Sequence, residues 1–201
     1  MSEERPIDIT LYGATGFVGR LTATQLYHRC REEGLTLALA GRSQERLEKL
    51  LRELEESEPP RETDRSGGAS RSPALLIRTA SRDDAESLRQ LASESRVICS
   101  TVGPYAIHGS PLVAACAEAG TDYCDLTGEV HWIRRMIDEY GGLARESGAR
   151  IVHACGFDSI PSDLGVYLAQ KRYRELHGAA AGRLRLRLTR GKGGVSRGTL
   201  D

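Results

Sequence analysis

The sequence predicts an α/β fold of the Rossmann type, a doubly wound and mainly parallel sheet, followed by the start of a truncated second α+β domain. Two observations support this prediction. Short apolar segments alternate with amphipathic ones along most of the 201 residues, and this alternation requires crossover connections and a sheet covered on both faces. In addition, the first apolar segment leads into three glycines at a spacing of three residues, which is typical of a tight turn between a strand and a helix.

The first part of the chain predicts a β-α-β-α stretch. Residues 7–12 alternate and are β-branched as in a strand, and residues 17–33 form a helical pattern that ends before Gly34, a natural terminator. Residues 35–40 are a short apolar run, which indicates a buried parallel strand. Ser43 then precedes a helical leucine stripe as its N-cap. The leucines of that stripe are Leu47, Leu50, Leu51 and Leu54.

A polar segment interrupts the pattern before it resumes. Residues 56–73 are rich in Pro, Gly and Ser and lack hydrophobic periodicity, so we expect a flexible surface insertion there. The next elements are a strand over 74–78, a helix over 83–93 and a buried strand over 96–102.

The repeat continues to about residue 155. A serine N-cap, a proline at the first helical position and a following glycine predict a helix over 110–119. We then expect a short strand over 122–125, a helix over 130–147 with regularly spaced apolar residues, and a sixth strand over 150–155.

The C-terminal part differs in character. Residues 183–189 alternate between arginine and leucine before a final threonine, which predicts a half-exposed strand. A lone strand cannot bury its leucines. We therefore divide the chain into a Rossmann domain over 1–165 and, over 166–201, a connecting helix and the first strand of an incomplete second domain.

Composition narrows the classes of function. Lys plus Arg and Asp plus Glu both number 28, so no long-range field favours nucleic acid or an anionic membrane. The C-terminal arginines are more typical of the solvated face of a strand than of a nucleic-acid surface, because no aromatic residues alternate with them over 183–189.

Cysteine usage and hydropathy favour an intracellular protein. The five cysteines are odd in number and form no CxxC pair, which favours reduced, buried thiols over disulfides or a metal site. The N-terminal segment is charged, and no apolar run approaches the ~20 residues of a membrane span. We expect a soluble cytoplasmic protein without a metal; peripheral association with the surface of a membrane-bounded organelle stays open.

The glycine turn predicts a dinucleotide site. In a dinucleotide-binding β-α-β unit, the first glycine allows the turn, the second lets backbone approach the pyrophosphate, and the third packs helix on strand. The helix N-terminus adds free N–H groups and a partial positive charge. The candidate cofactor-binding residues of the turn are Gly13, Ala14, Thr15, Gly16, Phe17, Val18 and Gly19.

The end of the second predicted strand indicates which dinucleotide is bound. NAD-binding units usually place an acid there for the ribose hydroxyls, whereas this chain has Arg42 and Ser43. Arg42 can pair with a 2′-phosphate, and Ser43 can donate its hydroxyl beside it. NADP is therefore favoured over NAD. The structural alternative is a surface arginine beside a helix cap.

Five stretches, in this order, resemble the saccharopine dehydrogenase-like oxidoreductases, and within them the branch that contains the trans-acting enoyl reductases. The stretches are GATGFVG at 13–19, AGRS at 40–43, TVGPY at 101–105, DLTGE at 125–129 and GFDSIPSDLG at 156–165. The later GGVSRGT at 193–199 is similar to the turn with which this branch enters its second domain.

The resemblance implies an NADP-dependent oxidoreductase that transfers a hydride to or from an enoyl, carbonyl or imine group of an unidentified small-molecule or lipid-like substrate. Members of this family are considerably longer than this chain. The resemblance therefore also implies that most of a substrate-binding domain, through which a homodimer could form, is missing.

The carboxyl ends of the later strands supply further candidates. Val102, Gly103 and Pro104 end the fourth predicted strand, at the edge where such sheets bind ligands, and their backbone can approach the nicotinamide.

Three polar residues near strand ends are candidates for catalysis. Tyr105, Glu129 and Asp158 should lie at the same edge and could orient the substrate or transfer a proton. Each has a structural alternative. Tyr105 could pack under the nicotinamide, and the two acids could cap the helices that follow them.

Two alternative functions stay open. Tyr167 and Lys171 have the spacing of the short-chain dehydrogenases, in which such a pair protonates a carbonyl, although Ser159 stands closer to Tyr167 than is usual there. The other alternative is a non-enzymatic NADP(H)-binding or scaffold protein, because no residue has an unambiguous catalytic signature.

Overall fold

Six strands form one parallel sheet in the computed structural model, which describes residues 5–57 and 74–187. The strands are β1 (Ile7–Tyr12), β2 (Leu37–Gly41), β3 (Leu75–Thr79), β4 (Ser95–Ser100), β5 (Asp122–Asp125) and β6 (Ile151–Val152). Their order across the sheet is β3-β2-β1-β4-β5-β6, and each neighbouring pair is parallel. The predicted Rossmann-type sheet is confirmed, and its order reverses between β1 and β4, where such sheets bind ligands.

Helices pack on both faces of this sheet. They are α1 (Phe17–Glu33), α2 (Gln44–Ser57), α3 (Ala85–Glu94), α4 (Tyr105–His108), α5 (Ser110–Ala119) and α6 (Val130–Ser147). A further helix, α7 (Ile160–His177), follows the last strand and contributes to neither core among the described residues. One core holds α1 and α2 against Leu11 and Leu39, and a second core holds α3, α5 and α6 against Tyr12 and Ile98. Successive strand residues point to opposite faces, which explains why Leu11 and Tyr12 belong to different cores.

The helix ends follow local signals in the sequence. Gly34 after α1 and Gly120 after α5 both have a φ of 69°, a left-handed conformation that glycine adopts without a Cβ clash. At the start of α3, the Asp84 carboxylate accepts hydrogen bonds from the N–H groups of Glu86 at 3.1 Å and Ser87 at 3.3 Å. The helix therefore begins slightly later than predicted.

Two strands end earlier than predicted. β4 ends at Ser100 rather than at residue 102, because the N–H of Val102 turns back to the Ser100 hydroxyl at 3.5 Å. β6 ends at Val152 rather than at residue 155, because the next backbone N–H groups bind Asp125 instead of a strand. Ala154 donates to the carboxylate at 3.0 Å, and Cys155 donates to the carbonyl oxygen at 2.7 Å.

The region after the sheet departs from the prediction. α7 begins at Ile160, before the predicted domain boundary at residue 165, and has no buried side chain. Residues 183–187 form neither helix nor strand, so that part of the predicted strand is wrong. A strand needs a neighbour for its backbone hydrogen bonds, and the described residues provide none there. The division into two domains stays a prediction.

Several predicted segments lie outside the described residues. They are most of the insertion (58–73), the end of the last predicted strand (188–189) and the glycine-rich turn (193–199). In the part of the chain that the structure describes, no helix is long and apolar enough to cross a membrane.

All five cysteines are free thiols. Cys30 and Cys116 are buried as predicted, while Cys99 and Cys124 are half-buried. Cys155 is exposed, contrary to the prediction, because β6 ends before it and the chain turns outward.

Candidate cofactor and active site

The turn after β1 brings Gly13 against the end of β4. Its N–H donates to the carbonyl oxygen of Ala40 at 2.9 Å, and its φ is 89°. A Cβ at Gly13 would lie 2.6 Å from Cγ2 of Val102 and 2.9 Å from Oγ1 of Thr101. The Thr101 hydroxyl in turn donates to the carbonyl oxygens of Tyr12 and Gly13, both at 3.2 Å. Only glycine fits this junction of three strand ends.

The other two glycines of the turn make different contacts. A Cβ at Gly19 would lie 2.0 Å from the carbonyl oxygen of Gly13, so α1 rests directly on the turn. Gly16 is the exposed N-cap of α1, and a Cβ there would meet only that same oxygen, at 3.4 Å. Gly19 therefore fixes the packing of the helix, whereas Gly16 leaves the surface above the helix N-terminus open.

The start of α1 offers backbone N–H groups to an anion. The N–H of Arg20 donates to the carbonyl oxygen of Gly16 at 2.9 Å, and no side chain caps this end. The N–H groups of Phe17, Val18 and Gly19 thus precede the helical ladder. Together with the helix dipole, they favour a bound phosphate.

The remaining turn residues are less available to a ligand. Ala14 is buried, and its N–H donates to the carbonyl oxygen of Ala40 at 3.2 Å. Thr15 is half-buried. Phe17 projects its side chain outward and is 77% exposed, so the part of Phe17 directed to a phosphate is its backbone.

Arg42 lies directly after β2 and is exposed. Within the described residues, no ion pair or hydrogen bond occupies its guanidinium. The hydroxyl oxygen of Ser43 accepts a hydrogen bond from the N–H of Arg46 at 3.4 Å, which is the helix-capping role that the sequence left open. An exposed, unpaired arginine at this strand end suits a 2′-phosphate.

A second arginine, Arg82, follows β3, the strand that pairs with β2 ahead of Arg42, and it was not predicted from the sequence. Burial raises the pKa of Tyr12, while the guanidinium groups of Arg42 and Arg82 both act to lower it. Arg82 follows β3, and its Nη1 lies 2.6 Å from Nε2 of His108. Arg82 lies in a polar stretch of the sequence that contains no motif. Only the order of the strands in the sheet shows that it follows a strand next to β2.

The loop after β4 approaches the same edge. The peptide bond between Gly103 and Pro104 is cis, Gly103 is exposed, and Val102 packs partly against the second core. The carbonyl oxygen of Pro104 accepts from the N–H of His108 at 3.0 Å. The three predicted nicotinamide-facing residues thus form a compact turn into α4.

Glu129 caps α4 rather than its own helix. Its Oε1 accepts from the N–H of Tyr105 at 2.6 Å, and its Oε2 accepts from the N–H of Ala106 at 2.8 Å. No side-chain bond caps α6, so the predicted alternative of capping that helix is wrong. The carboxylate joins the loop after β5 to the loop after β4.

Tyr105 turns into the core. Its side chain is 5% exposed, and its hydroxyl donates to the carbonyl oxygen of Ser100 at 3.0 Å. Burial raises its pKa well above the usual range. Its ring lies 5.5 Å from that of Trp132. A proton donor must reach the ligand, so this geometry favours a structural role for Tyr105 over the predicted chemical one.

A buried acid–histidine pair lies at the ends of β5 and β6. Oδ2 of Asp125 is 2.7 Å from Nδ1 of His153, and both side chains are buried. Oδ1 accepts from the N–H groups of Thr127 at 3.1 Å and Ala154 at 3.0 Å. Ala154 has a φ of 59°. A positive φ is uncommon for residues other than glycine, so the surrounding contacts must hold this loop tightly. Asp125 stands in a motif of the sequence, whereas His153 carries no such signal.

Asp158 lies in the loop that this pair holds, and it is exposed. A Cβ on Gly156 would lie 3.0 Å from its Oδ1. No side-chain bond caps α7, so the predicted alternative of helix capping is wrong for Asp158 too. The carboxylate is available at the surface.

The carboxyl edge fits a dinucleotide that carries a 2′-phosphate. In the part of the chain that the structure describes, it has a glycine turn without room for larger side chains, a helix N-terminus without a side-chain cap, and an arginine without an ion pair where NAD-binding units place an acid. No group of metal-ligating side chains occurs among residues 5–57 and 74–187. These features are typical of an NADP-binding Rossmann domain.

Comparison with known proteins identifies the family. The family model of the saccharopine dehydrogenase NADP binding domain matches residues 9–181. The chain therefore belongs to this family, as the sequence motifs predicted, and NADP(H) is its cofactor. Because the match includes Tyr167 and Lys171, the family assignment favours this class over the short-chain dehydrogenases.

Mycobacterial proteins are similar to the chain over most of its length. A trans-acting enoyl reductase of Mycobacterium tuberculosis is 48% identical over 171 residues, which are 84% of this chain and 37% of the relative. A trans-acting enoyl reductase of Mycobacterium ulcerans is 45% identical over 174 residues, or 87% of this chain and 38% of the relative. The chain thus spans well under half the length of these relatives.

A solved structure shares the fold. Apo saccharopine dehydrogenase (L-Glu forming) from Saccharomyces cerevisiae superimposes with a TM-score of 0.52 at 15% identity, covering 86% of this chain and 32% of that chain. The predicted fold class is thereby confirmed.

Proposed function

We propose that this chain is the cofactor-binding part of an NADPH-dependent reductase that acts on the enoyl group of an apolar acyl substrate, with a carbonyl or imine group as the alternative acceptor. The observation that carries the proposal is the 45–48% identity to trans-acting enoyl reductases over 84–87% of this chain. The geometry of that edge suggests which residues do what.

The residues that follow β1, β2 and β4 would hold the cofactor. The N–H groups at the start of α1 bind the pyrophosphate, and Gly16 allows its approach. Arg42 pairs with the 2′-phosphate, with the Ser43 hydroxyl beside it. The turn over 102–104 faces the nicotinamide. When bound there, NADPH supplies a hydride to the acceptor carbon.

The acids of this edge have separate roles. Reduction of an enoyl group requires a proton at the carbon next to the carbonyl. Of the three predicted catalytic residues, Asp158 has the exposed carboxylate, so it orients the substrate or relays that proton. Glu129 and Tyr105 position the turn after β4 through their hydrogen bonds.

Apolar side chains around the edge suit an acyl chain. Four large ones follow the ends of β1, β4, β5 and β6 and are strongly exposed. They are Phe17, Ile107, Val130 and Phe157. Exposed apolar groups that gather at one edge are typical of a binding surface.

The rest of the substrate site is assigned to residues beyond this chain. Since the chain covers 37% of the relative from Mycobacterium tuberculosis, we place the remaining substrate wall and any homodimer contact in the additional length of such relatives. Five free thiols suit a reducing compartment, so we place the reaction in the cytoplasm, with membrane-surface association as the alternative.

Deuteride transfer tests this function. The protein in its longest natural form is given NADPH deuterated at the reactive carbon, together with α,β-unsaturated thioesters of increasing chain length. We expect deuterium at the β-carbon of the product, faster turnover with longer chains, and a large loss in D158N but not in D163N, which alters an exposed acid on α7. Tight NADPH binding without transfer to enoyl, carbonyl or imine acceptors would instead support the scaffold alternative.

A further inference from the structure

The loops after β2 and β3 begin side by side. Gly41 and Thr79 are partners in the parallel register, and the N–H of Ala80 donates to the carbonyl oxygen of Gly41 at 3.0 Å. Neighbouring strands are about 4.8 Å apart. Arg42, one residue after Gly41, and Arg82, three residues after Thr79, therefore leave the sheet from adjacent points.

The loops that carry the two arginines leave the sheet beside β1, whose last residue is the buried Tyr12. Tyr12 is 3% exposed at the end of β1, where it pairs with Ala40 of β2 and Ser100 of β4. Both arginines act to lower the pKa of Tyr12, against the larger effect of burial. The register of β2 and β3 and this shared influence on Tyr12 place both arginines at the same edge of the sheet.

Among the described residues, Arg82 contacts only an imidazole and an exposed carboxylate. Its Nη1 contacts the ring nitrogens of His108, with 2.6 Å to Nε2, but an imidazole carries no negative charge. The carboxylate of Asp83 lies 3.4 Å from Nε of Arg82, and its side chain is 75% exposed. Exposed pairs of this kind contribute little, so a phosphate dianion can replace both contacts.

We propose that Arg82 is a second determinant of NADP specificity and that it binds the 2′-phosphate together with Arg42. Two guanidinium groups match the charge of a phosphate dianion and offer paired N–H donors to its oxygens. Contact with His108 holds the Arg82 side chain beside the site before the nucleotide arrives. The inference concerns the choice of cofactor and is independent of the substrate proposed above.

Calorimetry with two nucleotides that differ only in the 2′-phosphate tests this role. The full 201-residue chain is titrated with 2′,5′-ADP and with 5′-AMP. R82Q should bind 2′,5′-ADP about 10- to 100-fold more weakly, the loss expected for a charge-assisted contact, and should bind 5′-AMP as before. R42Q should also bind 2′,5′-ADP more weakly and 5′-AMP as before. The affinity of R82K for 2′,5′-ADP should lie between those of R82Q and the wild type. R89Q, which alters an arginine paired with Glu86 on α3, is the matched control.

Two outcomes would overturn the proposal. If R82Q lost the same affinity for both nucleotides, Arg82 would contact the adenosine instead of the 2′-phosphate. If R82Q lost affinity for neither, the contact of Arg82 with His108 would be only structural. Thermal melting of each variant shows whether it is folded, and R82K decides the matter if R82Q is not. A protein that failed to reduce enoyl substrates would still give a clear result here.

Discussion

Two acids of one short stretch act as anchors for two different loops. Glu129 binds the first N–H groups of α4, and Asp125 binds the N–H of Ala154 and the ring of His153. A carboxylate that accepts from backbone N–H groups forms stronger bonds than a neutral acceptor. The sequence predicted that Glu129 would lie at the ligand edge. It could not predict that Glu129 binds the start of α4, because these residues are distant in sequence and come together only in the fold.

Replacing Glu129 by glutamine tests its anchoring role. We expect E129Q to lower the free energy of unfolding by about 1–3 kcal/mol, because the amide turns one acceptor into a donor that faces a backbone N–H. Urea denaturation measures the change. E118Q, at an exposed position on α5, is the control and should differ little from the wild type. Equal stability of E129Q and E118Q would argue against the two bonds.

The second and third glycines of the turn should respond differently to alanine. G19A places a Cβ 2.0 Å from the carbonyl oxygen of Gly13, so α1 must shift and the fold loses stability, by about 1–3 kcal/mol or more. G16A meets that oxygen at 3.4 Å and should remain folded, yet its methyl group should weaken NADPH binding because the pyrophosphate needs close backbone approach.

Fluorescence titration and urea denaturation on both variants separate the two effects. The idea that one glycine serves packing and the other serves the ligand would be lost if G16A bound NADPH like the wild type.

At the scale of elements, the sequence predicted the bounds of a helix or strand well wherever neighbouring residues determine those bounds. The bounds of β1, α1, β5 and α6 agree with the predictions, because alternation, amphipathic periodicity and terminal glycines are properties of neighbouring residues. α4 and the early end of β6 could not be predicted, since each depends on a carboxylate that is distant in sequence.

The glycines that end α5 and α6 give a matched test of packing at a helix end. Gly120 and Gly148 both adopt a positive φ, 69° and 83°. A Cβ at Gly120 would lie 2.7 Å from the carbonyl oxygen of Ser147, whereas nothing lies within 4 Å at Gly148. G148A should therefore cost only the left-handed strain, about 1 kcal/mol, and G120A about 2–4 kcal/mol because a clash is added.

Guanidinium denaturation of the two variants gives the comparison. Similar losses would contradict the close packing of the Gly120 turn on the end of α6.

At the scale of the whole molecule, parallel topology assembles the site. Residues from the ends of β1, β2, β3 and β4 meet at one edge although long stretches of sequence separate them. The glycine turn and Arg42 could be predicted because motifs mark them. Arg82 and His153 could not, because their significance lies in what stands beside them on neighbouring strands.

This assembly predicts that the cofactor stabilises the domain as a unit. A ligand that binds only the folded chain adds about 2.7 kcal/mol at a concentration of 100 times its Kd. For a chain of this length, each kcal/mol raises Tm by roughly 2–4 °C, so saturating NADPH should raise Tm by about 5–10 °C. NADH at the same concentration should give a smaller shift, because it leaves Arg42 without a phosphate. Differential scanning calorimetry measures both shifts.

The R42Q variant is the control for the charge of Arg42. In R42Q the difference between the NADPH and NADH shifts in Tm should shrink, while the NADH shift stays the same. Equal shifts for both nucleotides in the wild type would contradict the role of Arg42 in binding the 2′-phosphate.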